Sequence, residues 1–116
     1  MAATQELLLG EGAGGPVTYI EDVFSTYLYT GNGTTQTITN GIDLSGKGGM
    51  VWTKDRSNVG ANLLFDTARG ATVYLSSNTN TGNTTSATTL TAFNSTGFSI
   101  SSNTGINTSN DLYASW

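Results

Sequence analysis

Residues 50–76 read MVWTKDRSNVGANLLFDTARGATVYLS, and this stretch decides the fold. Its apolar residues fall into three short clusters, which are VW at 51–52, LLF at 63–65 and VYL at 73–75. Polar and glycine-containing segments separate the clusters, as turns separate short β-strands. Because side chains alternate along a strand, Met50, Trp52 and Lys54 share one face and the residues between them share the other. The stretch therefore predicts a sheet with one face in the core and one partly in solvent.

The rest of the chain continues this pattern. Thr, Ser, Asn and Gly make up just over half of the 116 residues, and such a load of β-branched hydroxyls and turn formers disfavours helices. We predict strands at 17–20, 23–30, 36–39, 50–54, 63–67, 72–76, 88–93, 98–101 and 112–116. The polar segment 77–89 predicts a long exposed loop. A chain of this length holds one core, so the sequence predicts a single small all-β domain.

The alternation also predicts which side chains form the core and how the last strand pairs. The predicted core residues are Phe24, Leu28, Ile38, Ile42, Leu44, Val51, Leu64, Val73, Leu75, Phe93, Phe98 and Ile100. Residues 112–116 are expected to pair antiparallel beside 50–54 and to close the sheet around Trp52. An isolated strand is unstable, because no contact offsets the backbone entropy that is lost when it becomes ordered. If the domain has a purely structural role, Trp52 is a core residue, and Trp52→Ala should destabilise it by roughly 3 kcal/mol or more.

The segment before the strands has a different character. Leu7, Leu8 and Leu9 are followed by GEGAGGP at 10–16, a combination that predicts an extended arm and a flexible hinge. We therefore divide the chain into an arm at 1–16 and a β domain at 17–116. Leucines left in water are unfavourable unless a partner covers them, so these three residues are the candidate docking residues.

Charge and composition exclude several functions. The net charge is −4, which leaves no basic surface for the phosphates of nucleic acid, and the chain has neither Cys nor His. The usual general base, imidazole ligands and thiolate metal sites are therefore missing, and we predict a non-enzymatic protein without cofactor or metal. No run is apolar enough for a signal peptide or a membrane span, which predicts synthesis in a cytoplasm and no membrane insertion.

Two stretches match phosphate-binding motifs in part. Residues 10–15 satisfy G-x-G-x-x-G, but Pro16 and a β-rich run follow where dinucleotide binding needs a helix. Residues 41–48 match a phosphate-binding loop until Gly48, which stands where a Ser or Thr ligates Mg²⁺. We predict a hinge at the first stretch and a turn at the second, with Lys47 in solvent.

The acidic and oxygen-rich residues offer no convincing catalytic or calcium site. Glu21 and Asp22 are adjacent and point to opposite faces of a strand, so they cannot flank one bond. Asp55 and Asp66 approach each other only if their strands pair, and the expected role of each is a strand-end charge pair. Residues 78–83 offer amide and hydroxyl oxygens but no carboxylate for Ca²⁺ affinity.

Several phrases between residues 22 and 116 carry a family resemblance. They are DVFSTYLYTGNG at 22–33, ITNGIDLSGKGGMVW at 38–52, LFDT at 64–67, RGAT at 69–72, FNSTGF at 93–98 and YASW at 113–116. In this order they resemble tail-associated structural proteins of marine tailed bacteriophages. Chains of that family continue beyond the final phrase, which implies that this chain is the front of a longer polypeptide.

The resemblance implies both a fold and a function. A turn is followed by a strand that contains Trp-x-Lys and then by a strand that contains Leu-Phe-Asp. This arrangement is similar to that of the laminin-G or concanavalin-like jelly roll, so the expected fold is an antiparallel β-sandwich with an N-terminal arm. The implied function is a structural virion protein in a tail fibre or tail tip. Its expected partners are other tail or capsid proteins and further copies of the chain.

Two alternatives stay open. In a carbohydrate-binding module for host adhesion, exposed aromatic residues beside amide donors would bind a host-surface glycan, and the candidates are Trp52, Asn62, Tyr74 and Tyr113. In a capsid decoration protein, the same β domain would bind the head rather than the tail.

Overall fold

The computed structural model describes residues 17–116, where nine strands form two antiparallel sheets. The strands are β1 (Tyr27–Thr30), β2 (Gln36–Thr39), β3 (Met50–Asp55), β4 (Asn62–Asp66), β5 (Val73–Ser76), β6 (Thr84–Thr85), β7 (Leu90–Asn94), β8 (Gly97–Ile100) and β9 (Leu112–Ser115). The larger sheet has the order β1-β9-β3-β4-β5-β6 and the smaller one the order β2-β8-β7. The predicted antiparallel β-sandwich is confirmed, whereas the predicted arm at 1–16, with Leu7, Leu8 and Leu9, lies outside the described residues.

Three helices of four residues each complete the described part of the chain: α1 (Ile20–Val23), α2 (Leu44–Lys47) and α3 (Thr104–Asn107). The first corrects two predictions, because residues 17–20 form no strand and the strand predicted at 23–30 begins only at Tyr27. The Tyr19 amide donates to the Asp22 carboxylate at 3.0 Å, and the Phe24 amide donates to the Ile20 carbonyl at 2.8 Å. These local bonds close one helical turn and override the β propensity of the segment.

The C-terminal strand pairs as predicted. In the six-stranded sheet β9 lies between β1 and β3, with Thr53 opposite Ser115 and Lys54 opposite Ala114. Trp52 and Trp116 extend the ladder, since each amide donates to the other's carbonyl at 2.8 and 2.9 Å. The loop predicted at 77–89 contains the short β6, which pairs with β5.

The core lies between the two sheets, and both contribute to it. Its buried apolar residues are Tyr29, Ile38, Leu44, Val51, Leu63, Phe65, Leu90, Phe98, Ile100, Ile106 and Tyr113. The predictions for Ile38, Leu44, Val51, Phe98 and Ile100 are therefore confirmed. Ile42 and Phe93 are only partly buried but pack against the core.

Five core predictions are wrong. Leu28 is 57% exposed because Tyr29, its neighbour on β1, takes the inward position, and Phe24 is 55% exposed because it follows α1 instead of lying in a strand. On β4 the buried residues are Leu63 and Phe65, so Leu64 belongs to the outer face.

The same reversal occurs on β5. Tyr74 packs against the core, while Val73 and Leu75 are half-buried and Leu75 lies opposite Leu64. For β4 and β5, alternation gives the two sets of side chains but not which set points inward.

Candidate functional site

The predicted carboxylate candidates do not form an acid–base pair. The register of β3 and β4 places Met50 opposite Asp66, so Asp66 and Asp55 lie at opposite ends of this hairpin. At roughly 3.3 Å per residue they are about 17 Å apart along the strand, whereas glycosidase carboxylates lie roughly 5–9.5 Å apart. Asp66 pairs with Arg69, and Asp55 accepts the amides of Ser57 and Asn58 at 2.8 and 3.1 Å.

Residues 41–48, where the sequence predicts a turn, contain the single helical turn of α2. The Asp43 carboxylate accepts the Gly46 amide at 2.8 Å and caps α2, so it holds the position that a phosphate would need. Lys47 is exposed, as predicted. Across residues 17–116, no group of three His, Cys, Asp or Glu side chains is placed to hold a metal ion. None of the helices in that range is long and apolar enough to cross a membrane.

An apolar groove with a volume of about 350 Å³ lies between the outer face of β3, α1 and the segment that leads into α2. We call it the tryptophan groove, because both tryptophans of the chain line it. Its lining residues are Val23, Phe24, Ser25, Asn40, Ile42, Leu44, Met50, Trp52 and Trp116. None of these side chains is titratable, so the groove is suited to binding by shape and apolar contact and not to proton transfer.

Strand pairing builds one wall of the groove. Met50 and Trp52 lie on the outer face of β3, where alternation leaves them 52% and 38% exposed. Main-chain pairing of β3 with the chain end places Trp116 beside Trp52, with ring centroids 4.8 Å apart and planes tilted by 41°. The indole N–H of Trp52 donates to the Asn62 side-chain carbonyl at 2.9 Å, which fixes the edge of the ring. The expectation that Trp52 is a core residue is therefore wrong.

The segment before α2 forms the floor of the groove. The Asn40 side-chain oxygen accepts the Ile42 amide at 3.0 Å, and Gly41 between them adopts a φ of 86°, which favours glycine. This turn directs Ile42 to the edge of the core, and Leu44 is buried next to it at the start of α2. The floor is thus continuous with the core and held by local main-chain geometry.

The opposite wall comes from α1 and the residue that ends it. Val23 is 62% and Phe24 55% exposed, which is unusual for large apolar residues so close to a core. The capped turn of α1 holds both residues over the groove instead of continuing the strand predicted there. The groove is thus lined by exposed apolar residues of α1 and β3 and by the buried or partly buried residues before and at the start of α2.

The predicted glycan-binding residues do not come together. Trp52 and Asn62 form the hydrogen-bonded pair already described on the outer face. Tyr74 packs against Phe65 with ring centroids 5.6 Å apart, on the inner side of β5. Tyr113 is fully buried between the sheets. Only the first two of the four candidates therefore share a surface.

Tyr113 belongs instead to a buried tyrosine pair. Its ring stacks on that of Tyr29 with centroids 5.2 Å apart and planes 13° apart. The Tyr29 hydroxyl donates to the Ile106 carbonyl at 2.9 Å, and the Tyr113 hydroxyl accepts the Thr108 amide at 2.9 Å. Burial raises the pKa of Tyr29 well above its usual value, and the neighbouring Tyr113 and Asp55 raise it further. Tyr29 is therefore uncharged at neutral pH, and the stacked, hydrogen-bonded pair has a structural role.

The sequence pattern alone does not mark Val23, Phe24, Met50 and Trp116 as members of a surface site. Alternation predicts part of the site, because it places Met50 on the same face of β3 as Trp52. It also places Trp116 beside Trp52 once the last strand pairs with β3. The position of Phe24 had no such signal, since it depends on the side-chain cap of a four-residue helix.

Comparison with known proteins identifies one family. The family model described as Domain of unknown function (DUF7483) matches residues 20–116, most of the chain, so the chain belongs to this family. No curated protein and no solved structure matches the chain significantly. The matched range begins with α1 and therefore includes every residue that lines the tryptophan groove.

Proposed function

We propose that this member of the DUF7483 family is a non-enzymatic structural protein of a tailed bacteriophage virion, located in the tail fibre or tail tip. The observation that carries the proposal is the tryptophan groove, an exposed apolar surface that a neighbouring protein can cover. The resemblance of residues 22–116 to tail-associated phage proteins supports the virion as the location. In this function the protein is made in the bacterial cytoplasm and joins other virion proteins, including further copies of itself.

The local roles of the carboxylates support a structural protein. Asp43 caps α2, Asp55 accepts turn amides, Asp66 pairs with Arg69, and Asp111 accepts a hydrogen bond from Asn58 at 2.8 Å. Each of these groups holds a turn or a strand end together. Such a distribution suits a rigid assembly module, because it stabilises the loops without leaving a reactive cluster.

Purified particles of a phage that encodes this chain provide the direct test. We expect mass spectrometry to detect the chain in the particles and gold-labelled antibody to place it on the tail. Gold label on the head would favour the capsid decoration alternative. Absence of the chain from purified particles would overturn the proposal.

A second test concerns anchoring by the arm. Leu8→Asp should abolish incorporation into particles, since burial of an unpaired carboxylate costs several kcal/mol. Thr4→Asp adds the same charge in the same segment outside the leucines and should leave incorporation unchanged. Equal incorporation of the two variants would rule out anchoring through the leucines.

Glycan binding is the second candidate function, and one contact favours it. The hydrogen bond between Trp52 and Asn62 holds an exposed indole beside an amide, a combination that suits the apolar face and hydroxyls of a sugar. Trp116 widens this surface.

Titration with polysaccharides of the bacterial host distinguishes the two candidates. If the protein binds glycan, tryptophan emission should change with saturation, and Trp52→Ala should abolish the change. Tyr27→Ala is the matched control, because Tyr27 is 37% exposed, similar to Trp52 at 38%, and does not line the groove. The structural proposal predicts no saturable signal.

A further inference from the structure

One edge of the larger sheet is the strand β1, and part of its main chain points away from the sheet. The Gly31 amide donates to the Asp111 carbonyl at 2.8 Å, in the same register as the rest of the ladder between β1 and β9. Hydrogen-bonded pairs alternate along an antiparallel ladder, so every second residue of β1, including Tyr29, bonds to β9. The amide and carbonyl groups of Leu28 and Thr30 therefore face the open edge.

A single side-chain bond reaches these groups from within residues 17–116. The Thr30 carbonyl accepts the Gln36 side-chain amide at 3.1 Å, whereas no described residue bonds to the Leu28 amide or carbonyl across the edge. The side chains beside these groups are also exposed, Leu28 by 57% and Tyr27 by 37%. An edge that presents main-chain donors and acceptors together with apolar side chains is a template for a further strand.

The other three sheet edges are less suited to strand addition. β6 has only two residues, and the register of β7 is irregular between Leu90 and Ala92. Short strands and bulges commonly protect a sheet edge from pairing. The exposed residues of β2 are two threonines. Among the four edge strands of the described chain, β1 is thus the one with large apolar side chains exposed.

The charge distribution favours a second copy of this chain as the added strand. In a symmetric pair of identical strands, residues near the twofold axis meet their own counterparts, so a charged residue there would face a like charge. Residues 23–42 contain no charged side chain, although the whole chain has a net charge of −4. The segment around β1 can therefore meet its own copy without repulsion.

The free groups of β1 also match their own copy in geometry. Antiparallel pairing about Leu28 places the two Leu28 residues opposite each other and Thr30 opposite Thr26. Each Leu28 amide then donates to the other Leu28 carbonyl. Because Tyr29 points into the core, the two Leu28 side chains meet on the outer face, where their exposed surface becomes covered.

We propose that β1 pairs antiparallel with β1 of a second copy of this chain, which joins two six-stranded sheets into one continuous sheet. The proposal names a contact between copies, which the proposed virion function leaves open. It concerns the purified protein, so either proposal can fail without the other.

Sedimentation velocity of the full-length protein at increasing concentration tests the contact. The parent should pass from monomer to dimer, and Leu28→Lys should stay monomeric because it places two positive charges opposite each other. Met50→Lys is the matched control and should dimerise as the parent does, since Met50 is 52% exposed on the same face but lies two strands away from β1. A parent that does not dimerise, a dimeric Leu28→Lys, or a control that dissociates as much as Leu28→Lys would overturn the proposal.

Hydrogen exchange of single amides, followed by NMR on the parent, tests the pairing without any variant. The Leu28 amide should exchange fast in the dilute monomer and slowly in the dimer. The Tyr29 amide, which bonds to β9, should be protected in both. Fast exchange of the Leu28 amide at both concentrations would show that no strand is added, and slow exchange at both would show that the chain covers its own edge. Either result would contradict the proposal.

Discussion

Two aromatic pairs use the last residues of the chain, and they lie on opposite sides of the same sheet. Tyr29 and Tyr113 face the core, where they stack nearly parallel and both hydroxyls are hydrogen-bonded. Trp52 and Trp116 face outward, are tilted by 41° and line an open groove. Two pairs of aromatic residues that both use the last strand and its end thus divide, according to the face they occupy, into a buried pair in the core and an outer pair that lines a groove.

Deletion of residues 112–116 should have the largest effect, because it removes one member of each pair. β9 lies between β1 and β3, so its loss leaves β1 without a partner in the larger sheet and opens the side of β3. We expect the domain to unfold, as seen by loss of amide signal dispersion and of a cooperative thermal transition. A truncated protein that melts at the temperature of the parent would show that neither pair stabilises the fold.

Tyr113→Ala should break the inner pair alone and have the next largest effect. A buried aromatic residue changed to alanine costs about 3–5 kcal/mol, and here the Thr108 amide also loses its acceptor. Leu112→Ala is the matched control on the same strand, since Leu112 is 45% exposed and should lose far less. Urea denaturation measures both variants, and equal losses would contradict the division into inner and outer faces.

The same contrast explains how far the sequence predicts this molecule. Alternation predicts the sets of side chains on β3 and the partner of the last strand, because both follow from local apolar patterns and turn spacing. Alternation does not show which set of side chains on β4 and β5 points into the core. On β4, Leu63, Leu64 and Phe65 are all apolar, so packing against the opposing sheet determines which of them are buried.

The candidate site is less predictable than the fold. The side of the groove formed by β3 follows from alternation along the strand. The side formed by α1 depends on a helical turn that includes the hydrogen bond from the Tyr19 amide to the Asp22 carboxylate. The composition of this segment favours a strand, so the turn is not predicted from the sequence. Phe24 follows this turn with an extended backbone and is 55% exposed.

Tyr29→Phe tests how much the hydroxyl of Tyr29 contributes to the inner pair. At neutral pH it should cost about 1–3 kcal/mol, because the buried Ile106 carbonyl loses its hydrogen-bond donor. The pKa of Tyr29 is raised in the folded protein, so the folded state holds its proton more tightly than the unfolded state does. The stability of the parent should therefore be fully present below the unfolded pKa of about 10 and decrease as the pH rises above it.

Denaturation curves at several pH values above 10 measure this effect. The difference between the parent and Tyr29→Phe should shrink as the pH rises, since the variant has no hydroxyl to ionise at this position. Leu28→Ala is the control on the same strand, and it should leave the slope of the parent unchanged because Leu28 is 57% exposed and has no group that ionises. A constant difference between the parent and Tyr29→Phe would show that this tyrosine does not make the inner face sensitive to alkali.

Trp52→Ala should destabilise the domain less than Tyr113→Ala and thereby sharpen the contrast between the pairs. The ring is 38% exposed, so the loss is mainly its contact with Trp116 and its hydrogen bond to Asn62. An aromatic contact contributes about 0.5–1.5 kcal/mol and a net hydrogen bond about as much, so we expect a total loss of about 1–3 kcal/mol, below that of Tyr113→Ala. Urea denaturation monitored by far-ultraviolet circular dichroism measures the loss independently of the missing fluorophore. A loss as large as that of Tyr113→Ala would mean that the outer pair holds the sheet together as the inner one does, and the groove would then be a consequence of packing and not a surface kept open for binding.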